Sequence, residues 1–126
     1  MVESVSELVG KARSAQAVFE RSNQAAVDEA VCALAWVIME PSRNRALSEQ
    51  AVADTGLGVS EDKILKNHRK TLGLLRDLDG QPSVGVIAEY PQLGITEIAR
   101  PVGVVAAVTP STNPVATPTN KVINAV

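Results

Sequence analysis

The sequence predicts an α/β protein: a helical opening, a β-hairpin, then a buried strand that runs through a polar turn into a helix. Three observations predict this. Apolar residues in the first 80 positions recur at helical spacing. Two runs after Gln81-Pro82 have strand composition and are separated by a turn beginning at Pro91 and ending at Gly94. The segment Arg100 to Val126 opens with an apolar run, breaks at Thr109-Pro110-Ser111-Thr112-Asn113-Pro114, and resumes in helix-like sequence.

The elements follow in order. Val5, Leu8, Val9, Ala12 and Phe19 fall near helical spacing, and Ser4 with Glu7 makes a capping box. Asn23 caps a second helix that carries Val27, Ala30, Val31, Leu34 and Ile38 on one face. Pro41 ends it, because proline disfavours helical geometry in the residue before it. Ser42 is positioned to cap a third helix, which stops at Gly56. Ser60 is positioned to cap a fourth, with Ile64, Leu65, Leu72, Leu75 and Leu78 as its apolar face and Asp79-Gly80 as its stop. Residues 84–90 and 95–100 read as antiparallel strands. The run 103–108 does not alternate, which is the pattern of a strand buried on both faces in a parallel sheet. A helix is expected to start near Pro114. A strand followed by a polar turn and a helix is how many α/β enzymes present groups to a ligand at the carboxyl end of a strand.

Composition narrows the function classes. The chain has 126 residues, 45% of them hydrophobic, enough for a core and too many for wholesale disorder. Its aromatic residues are Phe19, Trp36 and Tyr90, so the core is aliphatic and base-stacking platforms are lacking. A net charge of −2 gives no basic footprint for nucleic acid. Apolar stretches are too short to span a bilayer. A single cysteine and an amino terminus without a signal-peptide layout point to a soluble, cytoplasmic protein.

Few residues carry chemistry by pattern. Asn113 lies just past the apolar run and just before a helix, where a side-chain amide can donate to a developing oxyanion. Its spacing by itself favours a plainer role, capping the helix with Pro114 in the first position. Lys121 lies on that helix within reach of an anion, although most helical lysines are solvated. Cys32 sits mid-helix beside Val31 and Ala33 with no base adjacent, so a buried structural cysteine is expected. His68 is the lone histidine, and no metal site is expected. The charged run Glu61-Asp62-Lys63 with Lys66, His68, Arg69 and Lys70 is explained as a solvated face that complements the helix dipole.

Two stretches resemble a known family. The segment PVGVVAAVTPSTNPVATPTNKVINAV, residues 101–126, resembles the part of CoA-acylating aldehyde dehydrogenases that ends the first strand of their nucleotide domain. Upstream, DTGLGVSEDKILKNH, residues 54–68, is similar to that family's Glu-Thr-Gly…Glu-Asp-Lys-x-x-Lys-Asn-His region, with Asp54 in place of the usual glutamate. The resemblance covers most of residues 50–126. It implies an incomplete aldehyde dehydrogenase fold: a helical segment over 1–80, a β-hairpin over 81–101, and over 102–126 the start of a Rossmann-like NAD(P)-binding domain. It also implies oxidation of a short aldehyde with NAD or NADP and transfer of the acyl group to coenzyme A, in a homo-oligomeric full-length enzyme. Asn113 then matches the asparagine that stabilises the oxyanion. Val108, Thr109, Pro110 and Ser111 match the strand-end segment bordering the dinucleotide, and Lys121 matches a lysine near that asparagine. The family's catalytic cysteine lies far downstream, and Cys32 does not correspond to it, so this chain by itself is expected to be inactive. The competing reading is a non-catalytic helical interaction module or a truncated product, supported by the long helical half and the lack of a nucleophile–base pair.

Overall fold

The computed structural model describes residues 4–126. Among them it has five α-helices and one two-stranded sheet: α1 Val5–Phe19, α2 Gln24–Met39, α3 Pro41–Thr55, α4 Ser60–Leu78, β1 Gly85–Tyr90, β2 Ile95–Ala99 and α5 Ala116–Ala125. The chain divides into two units, one reaching to Val27 and taking in Gln81–Ala106, the other made of Asp28–Gly80 and Ala107–Val126.

In the first unit α1 begins with the expected capping box. The Ser4 hydroxyl accepts from the Glu7 N–H at 3.3 Å, and the Glu7 carboxylate accepts from the Ser4 N–H at 2.8 Å. Asn23 caps α2 as its position suggested, its Oδ1 accepting from the Ala26 N–H at 3.0 Å. Gln24 binds the returning chain: its Oε1 accepts from the N–H groups of Ser83 and Val84 at 2.8 and 3.1 Å. β1 and β2 pair antiparallel across a short 3₁₀ turn, Pro91–Leu93. Gly94 closes that turn at φ 64°, a left-handed conformation that costs glycine little. Val86 pairs with Ile98 and Ala88 with Glu97, so Ile87 is the extra residue of a β-bulge.

The second unit holds most of the buried side chains. Ala35 and Ile38 of α2, Ala51 of α3 and Ile123 of α5 are its apolar core. Burying an Ile side chain contributes roughly 1.5–3 kcal/mol, so Ile38 and Ile123 are its largest single hydrophobic contributions. The apolar face read for α2 is correct in substance: Val27 and Ile38 are buried, and Ala30, Val31 and Leu34 half-buried. The faces read for α1 and α4 differ from the structure. No residue of α1 is buried. On α4, Ile64, Leu75 and Leu78 are half-buried as expected, but Leu65 and Leu72 are exposed, whereas Lys63, Asn67 and Thr71 are buried. These three recur every four residues, so α4 turns a polar stripe inward.

A hydrogen-bonded seam explains that inversion. Asn67 of α4 donates from Nδ2 to Asn44 Oδ1 at 2.9 Å and to Ser48 Oγ at 3.2 Å, both on α3. Asn44 in turn donates to the Ile64 carbonyl at 3.0 Å. Buried polar groups are tolerated when paired in this way, and each such bond contributes about 1 kcal/mol net.

Three caps or positions correct the sequence reading. Glu40, not Ser42, caps α3; its carboxylate accepts from the Ser42 and Arg43 N–H groups, with Pro41 as the first helical residue. Val59 precedes α4 without a side-chain cap, and Ser60 is already helical. Cys32 is exposed rather than buried, on the flank of α2 where Ala33 and Trp36 are exposed as well. The stop at Gly56 is as expected, with φ 65°. Residues 101–110 carry no regular secondary structure, so the strand expected at 103–108 is not formed. A strand is defined by ladder bonds to a neighbour, and none of the described residues pairs with this run.

Candidate functional site

Asn113 and Lys121, two of the residues singled out by the sequence, line a cleft in the second unit, between α4 and α5. Residues 111–115 lead into α5 through a compact turn: the Asn113 N–H donates to the Pro110 carbonyl at 3.2 Å, and the Asn113 carbonyl accepts from the Thr117 N–H at 3.4 Å. The helix starts at Ala116, and Val115 precedes it without a side-chain cap. Asn113 therefore does not cap the helix as its spacing suggested, and Pro114 is not its first residue. Its side chain is engaged elsewhere: Lys66 of α4 donates from Nζ to Asn113 Oδ1 at 2.5 Å.

The cleft beside this pair has a volume of about 310 Å³. From α4 it is lined by Lys70, Thr71 and Leu74. From the other side Asn113, Ala116, Thr117, Thr119, Asn120 and Lys121 complete it. Two ammonium groups, three hydroxyls and two amides line one space, a donor set suited to an anionic or oxygen-rich ligand. The first turn of α5 adds little to this set, because the Thr117 and Thr119 N–H groups already bond the Asn113 and Val115 carbonyls and Pro118 has none. Thr119 uses its own hydroxyl to bond the Val115 carbonyl at 2.9 Å.

Electrostatics concentrate at Lys66. Its amine is held below the ordinary lysine value, first by burial and then by the like charges of Lys63 and Lys70. Lys63 has its stem buried against the loop at Gly58, where an added Cβ would lie 3.4 Å from Lys63 Cε. The charged run read as a solvated face is thus partly internal. Its inner members are held by the loop at Gly58, for Lys63, and by Asn113, for Lys66.

The structure brings some of the expected residues together and separates others. Asn113 and Lys121 line the same cleft. Val108, Thr109, Pro110 and Ser111 are exposed and lie outside its lining, with Val108 at 91% of its full exposure. Lys66 was missed by sequence reasoning, because a lysine bonded across 47 positions leaves no local pattern. The stripe Lys63, Asn67, Thr71 was legible in principle as an i, i+4, i+8 repeat of polar residues. Among the described residues no group of three or more His, Cys, Asp or Glu side chains is placed to hold a metal ion. No described helix is long and apolar enough to cross a membrane.

No protein-family model matches the chain. Individual proteins do. It is 69% identical over 123 residues to a sulfoacetaldehyde dehydrogenase (acylating) of Cupriavidus necator, covering 98% of this chain and 25% of that protein. It is 41% identical over 116 residues to a sulfoacetaldehyde dehydrogenase (acylating) of Bilophila wadsworthia, covering 92% of the chain and 25% of that protein. A succinate-semialdehyde dehydrogenase (acetylating) of Clostridium kluyveri is 40% identical over 115 residues, 91% of the chain and 25% of the relative. The chain spans about a quarter of the length of these relatives, matching their N-terminal part.

Proposed function

We propose that this chain, a homologue of the N-terminal quarter of the acylating aldehyde dehydrogenases, supplies one wall of an aldehyde-oxidising site in a complete enzyme of that class. The substrate is a short aldehyde. When bound, NAD or NADP takes up the hydride and coenzyme A accepts the acyl group. The catalytic cysteine is outside this chain; Cys32 lies on the surface of α2 and does not line the cleft. Residues 102–126 are read as the start of a Rossmann-like NAD(P)-binding domain, whose remaining strands would pair with the run at 103–108.

The single observation that carries this reading is Asn113. It stands in the turn before α5, in a cleft rich in donors, with its amide oxygen already bonded. Its free Nδ2 is the group that would donate to the aldehyde oxygen. That oxygen becomes anionic as the nucleophile attacks, so a fixed donor there acts mainly on the transition state. The donor set also fits the charged groups of a dinucleotide or of coenzyme A. Lys121 offers an ammonium to such a group, while Val108, Thr109, Pro110 and Ser111, all exposed, would border the dinucleotide.

Kinetics of the complete enzyme test this. Asn113→Ala should lower kcat by about 10²–10³ while leaving NAD⁺ affinity nearly unchanged. A variant within about threefold of wild type, far short of the loss expected for an oxyanion donor, would remove Asn113 from the site. The isolated chain should produce no NADH from aldehyde and coenzyme A. Turnover that is abolished by Cys32→Ala would show that the nucleophile was misplaced.

A further inference from the structure

We infer that Lys66 is a positioning residue for Asn113: by holding Oδ1 from α4, it presents Nδ2 as the donor that faces the cleft. The inference rests on the oxyanion role proposed for Asn113. An asparagine amide is ambiguous, since its torsion is broad and roughly two-fold and either end can face a ligand. The ambiguity matters at an oxyanion. Nδ2 turned inward attracts it, and Oδ1 turned inward repels it. A lysine ammonium resolves the choice, because it has three donors and no acceptor, so only Oδ1 can face it. The 2.5 Å contact between Lys66 Nζ and Asn113 Oδ1 has that arrangement.

Lys66 is itself held in place. It is half-buried. The next residue, Asn67, is fixed to α3 through Asn44 and Ser48. The α3–α4 seam therefore sets the height at which the ammonium meets Asn113. The two lysines that line the cleft differ, since Lys70 and Lys121 face it without bonding the amide. A cation on the amide oxygen also polarises the amide and makes Nδ2–H a stronger donor. Burial and the neighbouring Lys63 and Lys70 make the charge of Lys66 costly, and the bond to Oδ1 offsets part of that cost.

A double-mutant cycle on the complete enzyme gives the test, with Lys66→Met, Asn113→Ala and the pair. Lys66→Met should lower kcat at least about tenfold, with little change in KM for NAD⁺, if the amide is freed to turn. The double variant should be no slower than Asn113→Ala alone, because a positioning residue has nothing left to position. Lys66→Arg, which keeps a donor-only head group, should recover much of the loss. Equal and additive losses, or a full loss in Lys66→Arg, would overturn the proposal. If Asn113→Ala leaves kcat unchanged, the oxyanion reading has failed separately, and spectra of the complete enzyme carrying nitrogen-15 in its asparagine side chains decide the positioning claim. The Asn113 side-chain amide should give one ordered proton pair in wild type and a mobile, averaged pair in Lys66→Met. An amide equally ordered in both would sink it.

Discussion

The α3–α4 interface and the segment 101–110 treat polarity in opposite ways. At the interface Asn44, Ser48 and Asn67 are almost wholly buried, and each is hydrogen-bonded. In the segment Val102 and Val108 are 90% and 91% exposed, and Val104 and Val105 are a little under half exposed. Polar groups are inside and aliphatic ones outside. The contrast shows which contacts this chain completes alone. A directional bond needs one correctly placed partner, and α3 and α4 supply it to each other. An apolar strand needs neighbours along both edges and covers on both faces, and 101–110 has none among the described residues.

The largest expected consequence lies on the apolar side. The isolated chain should self-associate or fold weakly, since exposed aliphatic surface of this extent and an unpaired run of strand-like sequence both invite other chains. Sedimentation over a range of concentrations measures it. A monodisperse monomer with a sharp, cooperative melt would break the contrast drawn above.

Substitutions then sharpen it. Asn67→Ala removes both bonds that its Nδ2 makes in the seam and leaves the Asn44 oxygen with only the long 3.4 Å bond from the Ser48 hydroxyl, and should cost about 2 kcal/mol in urea unfolding. Val108→Ser removes a larger apolar group from the surface, yet should change stability by no more than about 0.5 kcal/mol. If the two values came out equal, the seam would not be the interface that specifies this unit.

Acid gives the smallest effect. The carboxylates of Glu7 and Glu40 are both held below the ordinary glutamate value. Backbone donation from Ser4 dominates for Glu7, and the Ser42 hydroxyl for Glu40. Because the folded values are depressed, the stability these caps contribute is complete above the ordinary value and is lost as pH falls through the folded ones. Circular dichroism between pH 5 and 3, values typical of carboxylate titration, should show helix fraying at acid pH. Glu40→Gln should flatten that dependence for α3, and an unchanged acid profile would count against the cap.

Much of this was legible because it is local. Ser4 with Glu7, Asn23 and Gly56 act within a few residues of themselves, and their caps follow from spacing. The hairpin followed from composition and its turn, though not the bulge at Ile87, which depends on how two strands pair. Pairings such as Asn44 with Asn67, or Lys66 with Asn113, were invisible because nothing nearby in the sequence marks a partner 23 or 47 residues away. The apolar rule also misled on α4, where Leu65 and Leu72 face outward because the polar stripe had already claimed the interface. Cys32 was misjudged for a similar reason: an apolar neighbourhood in sequence says little about which side of a helix is covered.

Gln24 carries a consequence for synthesis. Its partners Ser83 and Val84 lie 59 and 60 residues further on, so the start of α2 cannot be fastened until that stretch has left the ribosome. At about 5–20 residues per second, this leaves α1 and the front of α2 waiting for several seconds. During that interval Val27, which the finished fold buries, is on offer to whatever binds nascent chains. Slowing translation between Val27 and Gln81 would lengthen the wait without altering a single residue of the finished protein.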